Sequence, residues 1–197
     1  MNTGSRKAVV TVSLLATSLL GCDDSPLDRG PEPISLVIEA EVRSVVAISG
    51  SLPAGIAEGD SLSLALTFLS ASARPIHEDS VFAVYNLNPD NENRISTTIG
   101  TVDWQTRLYQ VLLHNDAPFG DRIAVNGHIY GDDSFTDARF DFRDSTAASG
   151  MLSSLAFPRK REDIKQVADG TGGGMLEYGG SGSSWRVSFV CKSLAVK

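Results

Sequence analysis

The chain has 197 residues, 42% of them hydrophobic, which suits one domain with enough aliphatic content to fill a core. Its 24 acidic residues against 17 basic ones give a formal charge of −7, and that balance argues against a nucleic-acid partner, whose phosphates call for clustered Lys and Arg. No stretch has the roughly 20 apolar residues that a membrane-crossing helix needs.

Arg6 and Lys7 precede residues 8–20, which carry only small, hydroxyl and aliphatic side chains. A cationic start before so short an apolar run is the pattern of a signal peptide. The run ends in Leu19-Leu20-Gly21-Cys22, which resembles the lipobox of bacterial lipoproteins: an aliphatic residue three before the cysteine and a small one directly before it. The resemblance implies a signal peptide over residues 1–21, cleavage before Cys22, and lipidation of Cys22 through a diacylglycerol thioether, usually with an amide-linked acyl chain. Each buried methylene contributes about 0.8 kcal/mol, and two or three chains make the attachment durable. The protein is then exported and membrane-anchored at the cell envelope. Asp23 resembles the enterobacterial signal for staying at the periplasmic face of the inner membrane; under other sorting rules the site is the outer membrane or the cell surface. Loss of Arg6 and Lys7 with the signal leaves 15 basic against 24 acidic side chains, a mature charge of −9. Acylation also leaves Cys191 without an intramolecular partner, whereas a Cys22–Cys191 disulfide would require the lipobox reading to fail.

Residues 22–33 form the lipidated cysteine and a flexible tether, rich in Asp and Pro (Asp23, Asp24, Pro26, Asp28, Pro31, Pro33). Extended at about 3.1 Å per residue, the stretch from Asp23 to Pro33 reaches roughly 34 Å.

Residues 34–197 form the domain, and their periodicity is that of strands. Leu36, Ile38, Ala40 and Val42 alternate with Glu39, Glu41 and Arg43; Leu62, Leu64, Leu66 and Phe68 alternate with Ser61, Ser63, Ala65 and Thr67. Further strands are predicted at 81–87, 95–102, 108–113, 122–130, 136–142, 151–157 and 185–194, separated by turn formers that include 170–174 and 179–184. Ile164, Val167 and Ala168 stand at helical spacing and predict one short surface helix within 158–168; its Arg159-Lys160-Arg161 cluster reads as a solvated face. The predicted fold is all-β, a two-sheet antiparallel sandwich or jelly roll with that helix.

The strand over 39–46, the Gly59-Asp60 turn before the alternating strand, Asn115-Asp116, Asp121-Arg122-Ile123, and a closing strand with Trp185 and Ser193-Leu194 together resemble the β-sandwich domains of exported bacterial proteins that carry a C-terminal Pro-Glu-Pro sorting tail (PEP-CTERM type). The resemblance spans most of residues 36–196 and brings no activity with it. Here Pro31-Glu32-Pro33 lies in the tether with no hydrophobic segment behind it, so anchoring is expected through lipid on Cys22.

Candidate chemistry is sparse. Glu39 and Glu41 share one strand face about 6.6 to 6.8 Å apart at Cα, between the separations of retaining and inverting glycosidases. Asp137 and Asp141 also share a strand face, with Arg139 between them. Such alternation is also what the wet face of an antiparallel strand looks like. The three histidines have no metal-ligand spacing, and no Gly-x-Ser-x-Gly elbow is present. Calcium is the one cofactor the loops admit: Asn88, Asp90 and Glu92 concentrate oxygen ligands, yet the EF-hand glycine and closing glutamate are missing, and Asn and Asp also serve ordinary turns. Trp104, Tyr109, Tyr130 and Tyr178 are candidates for stacking on sugar rings, while Trp185 shares parity with Val187 and Phe189 and belongs to the core. The leading expectation is a lipid-anchored, non-catalytic module that binds a glycan or another envelope protein. The alternative is a periplasmic jelly-roll hydrolase acting on polysaccharide through Glu39 and Glu41.

Overall fold

In the computed structural model, residues 32–88, 92–115, 120–145 and 150–197 are described. The alternating segments form β1 (Ile34–Ser49), β2 (Ser61–Phe68), β3 (Ala73–Glu78), β4 (Phe82–Leu87), β5 (Arg94–Ile99), β6 (Val102–His114), β7 (Arg122–Tyr130), β8 (Phe135–Asp144), β9 (Gly170–Gly180) and β10 (Ser183–Val196). Eight of them, β1, β2, β5, β6, β7, β8, β9 and β10, follow one another as an antiparallel meander. The ring closes where the first strand pairs with the last, from Leu36 opposite Val196 to Ser49 opposite Ser184. It is therefore a barrel, where a two-sheet sandwich was predicted. Period-2 alternation buries one face of a strand in either architecture, so local pattern does not distinguish them.

The inward side chains fill the barrel. Ile34, Leu36 and Ile38 from β1 meet Leu62, Leu64 and Leu66 from β2, Phe140 and Phe142 from β8, and Trp185, Val187 and Phe189 from β10. Eight strands enclose a space just wide enough for side chains. A gap of about 10 Å³ bordered by Leu36, Leu66, Phe157 and Ile164 is near the lower limit for one water molecule.

Both ends are covered. At the upper end, residues 50–60 fold over the β5–β6 turn, the Thr101 N–H donating to the Ala54 carbonyl at 3.2 Å. At the lower end, residues 150–169 cross the opening and bury Met151, Leu152, Phe157, Ile164 and Val167. Phe157 lies edge-on to Phe68 and Tyr85, with ring centroids 5.1 Å apart in each case. The Asp121 carboxylate, itself buried, accepts the Leu152 N–H at 2.6 Å. This covering segment corrects two predictions. Residues 151–157 are no strand, since only Leu152 makes an isolated bridge, to Ile164. The helix within 158–168 is a single 3-10 turn, Arg161–Asp163. Ile164 and Val167 have helical spacing, but extended backbone and bridges to Leu152 and Leu194 bury them separately.

Two further strands extend the barrel. On the edge of β6 opposite β7, β5 occupies residues 102–107 and β4 occupies residues 110–114, so β4 and β5 lie end to end. β3 pairs with β4 just as β2 pairs with β5. Both lines break at the same level, and buried Asn93 joins the breaks. Its carboxamide oxygen accepts the Leu69 N–H at 2.8 Å, and its nitrogen donates to Ser72 Oγ at 2.8 Å and to the Asn88 carbonyl at 2.9 Å. Asn93→Ala would leave the part-buried Leu69 N–H and the buried Ser72 hydroxyl without these partners. It should destabilise the fold by about 2–4 kcal/mol, measured by urea unfolding, at 1–3 kcal/mol for each unsatisfied buried group.

Candidate functional site

The outer wall is laced with charge. Glu41 lies 3.1 Å from Arg43 and 3.3 Å from Lys192, while Glu39 accepts the Ser63 hydroxyl at 3.0 Å across the β1–β2 pair. Asp141 binds both Arg122 and Arg143 at 2.9 Å, Asp137 binds Arg139 at 3.0 Å, and Glu177 pairs with Arg186. Each proposed acidic pair is thus made of two carboxylates that face different neighbours. Asp137, Asp141 and Glu177 are largely covered, whereas Glu41 and the Arg and Lys head groups lie open to water, and exposed pairs such as those of Glu41 contribute on the order of 0–1 kcal/mol each.

The oxygen-rich loop divides around Asn93. Asn88 and Glu92 are exposed at the surface, Asp90 lies outside the described residues, and Asn93 turns inward as the structural link between the broken strand lines. Among the described residues, no group of three or more His, Cys, Asp or Glu side chains comes together as a metal site. Cys22 also lies outside the described residues.

Two surface depressions among the described residues bear on a site. The first, about 460 Å³, lies where β2 and β5 splay apart beyond their short pairing and is lined by Ser63, Ser96, Thr98, Asp103 and Gln105. Trp104 lies beneath it, sealed into the barrel at 3% exposure, with its indole N–H donating to the Glu177 carbonyl at 3.3 Å. Tyr178 stacks on Trp185 at 5.4 Å and Trp185 is buried, so three of the aromatic side chains near this end serve the core.

The second depression, about 380 Å³, opens at the upper rim between the β7–β8 and β9–β10 hairpins, with Tyr130, Asp132, Asp133, Ser134 and Phe135 on one side and Gly179, Gly180 and Ser184 on the other. Outward-facing rings lead into it: Tyr109 to His128 at 4.3 Å, His128 to Tyr130 at 4.9 Å, and Tyr130 to Phe135 at 6.4 Å. Phe135 lies over Gly179, where an added Cβ would sit 2.1 Å from its ring. Residues 131–134 read from the sequence as turn formers and Tyr109 and Tyr130 as candidate platforms, but Phe135 went unnoticed, because a residue at a strand boundary has no reliable parity.

Cys191 points into the barrel, its Sγ donating to the Asp141 carbonyl at 3.4 Å. Burial, reinforced by the Asp141 charge, pushes its thiol up to about 12. No family model, curated protein or solved structure matches this chain.

The native thiol should resist Ellman's reagent at pH 8 and react fully once the chain is unfolded in guanidinium. Because the folded pKa is raised from 9.0 to about 12, the unfolded state loses this proton first, and stability should fall as pH rises through that window. The Cys191 contribution to the slope is about 1.4 kcal/mol per pH unit, and equilibrium unfolding of Cys191→Ala should show a shallower decline.

Proposed function

We propose that this protein is a lipid-tethered module of the bacterial cell envelope that works by binding through the outside of its barrel, without catalysis. The observation that carries the binding reading is the division of labour in the barrel: apolar side chains fill the interior, while the candidate acids of the wall are engaged by Arg, Lys or Ser neighbours. Among the described residues the interior gap is about 10 Å³, too small for a ligand, so recognition falls to surface depressions and rims. Apolar residues inside and charged residues outside also invert the pattern of a membrane-spanning barrel, whose outer band is apolar.

The tether reading rests on Leu19-Leu20-Gly21-Cys22 and on the Asp- and Pro-rich run that separates Cys22 from the first strand at Ile34. An acylated Cys22 holds the barrel to a membrane by its lower end, where β1 begins. The alternative, a polysaccharide hydrolase using Glu39 and Glu41, requires those carboxylates to turn from Ser63, Arg43 and Lys192 toward one shared substrate.

In Triton X-114 phase separation of expressing cells, the parent protein should enter the detergent phase and Cys22→Ala the aqueous phase. Unchanged partitioning, together with an unmodified Cys22 in the mature N-terminal peptide, would overturn the anchor.

A further inference from the structure

We infer that the rim depression between the β7–β8 and β9–β10 hairpins is a binding site for a neutral glycan, with Tyr130 as its stacking platform; this rests on the binding-module reading and names its ligand class. Tyr130 is 68% exposed, more than any other large apolar side chain described. Its ring contacts are with His128 and Phe135, so the ring adds nothing to the barrel core. Phe135 has a structural role in covering Gly179; Tyr130 does not.

The chemistry around that ring suits a sugar. A pyranose presents a face of C–H groups and an edge of hydroxyls. The face packs on an aromatic ring, and ionised carboxylates accept hydrogen bonds from the edge. Tyr130 supplies the platform, Asp132 and Asp133 supply acceptors at the same turn, and Ser134 and Ser184 add hydroxyls that donate or accept. On the opposite side Phe135 lies over Gly179, so the surface beside the Tyr130 ring is a second aromatic ring. At about 380 Å³ the space falls within the range of roughly 300–1,000 Å³ typical of small-molecule sites. The hydroxyl-lined depression on the wall is larger, but Trp104 beneath it is sealed at 3% exposure and offers no ring face.

Charge selects among glycans. Two aspartates at the mouth of the site, on a domain already strongly acidic, repel uronate and phosphate groups and leave neutral sugars as the favoured class. The same charges disfavour anionic lipid headgroups. The rim also lies at the barrel end opposite Ile34, where the tether leaves, so an anchored protein presents it away from its own membrane.

The test is calorimetric titration of the intact protein in detergent micelles with cellohexaose, chitohexaose and, as anionic control, hexagalacturonate. At least one neutral hexasaccharide should bind, and hexagalacturonate should not. Tyr130→Ala and the double substitution Asp132→Asn with Asp133→Asn should each weaken binding at least tenfold, Tyr130→Phe should retain it, and circular dichroism should show all three folded. Failure of both neutral sugars, or binding unaffected by Tyr130→Ala, would overturn the site. So would a dimer that Tyr130→Ala converts to monomer without sugar binding, which assigns the rim to self-association. The outcomes separate from those of the preceding proposal. Sugar binding that persists in Cys22→Ala upholds the rim site whatever becomes of the anchor. Tyr130-dependent binding in which mass spectrometry finds the sugar shortened upholds the site while overturning the non-catalytic reading.

Discussion

The pairing of β1 with β10 is the constraint on which the rest of the molecule depends. An open sheet leaves a row of unpaired N–H and C=O groups along each edge, a standing template for aggregation, and only closure removes both rows. Here the first and last strands of the barrel pair along most of their length, with local irregularities at Glu39/Ala40, Val42/Ser44 and Ala47/Ser49 that let two long strands bend around the core. Closure then sets the interior volume. With eight strands that volume must be filled by side chains from every strand, which is why Leu36, Leu64, Phe142 and Val187 are all within 0% of full burial.

Filling the barrel creates a demand for space that β9 meets. Six of its eleven residues are glycine, an unfavourable composition for a strand on propensity alone. The neighbouring strand supplies what the glycines lack. Phe135, Phe140 and Phe142 stand opposite Gly179, Gly174 and Gly172. An added Cβ on Gly174 would lie 2.1 Å from Phe140 Cβ, and one on Gly170 would lie 2.2 Å from the Phe142 ring. Aromatic rings laid over strand glycines restore the packing that the missing side chains give up. The small residues also let Cys191 on β10 reach past β9 to the Asp141 carbonyl on β8.

These contacts explain what was legible in the sequence and what was not. β2 and β7 are readable residue for residue because Leu62 to Phe68 and Ile123 to Val125 bury alternate positions between clear turns. β9 read as two turns with a gap, since glycine signals a turn locally and the phenylalanines that make it a strand lie 30 to 44 residues away. β3 was missed because its apolar content is slight: Arg74, Pro75, Ile76, His77 and Glu78 are all exposed, and the strand exists through its pairing with β4. Barrel and sandwich differ only in long-range pairing, which no local period reports. At the candidate sites, residue types were visible but their partners were not. Glu39 and Glu41 could be placed on one face, whereas the Ser63 and Lys192 that divide them come from other strands.

The two ends of the barrel also differ in what the fold demands of them. Residues that fill or seal the barrel are bound to their positions by packing, where a change of one methylene is felt. The hairpin tip at Gly131 to Ser134 carries no such duty: the turn is closed by its own backbone, the Gly131 N–H donating to the Ser134 carbonyl at 2.7 Å, and its side chains face outward. A turn held by the main chain leaves its side chains free to be chosen for chemistry, as loops on rigid scaffolds are in general. The lower end has no comparable freedom, because residues 150–169 are committed there to covering the core, with Phe157 wedged between Phe68 and Tyr85. A chain that enters at the lower end and seals it with its longest connection therefore leaves the upper rim as the end whose side chains can change at least cost to the barrel.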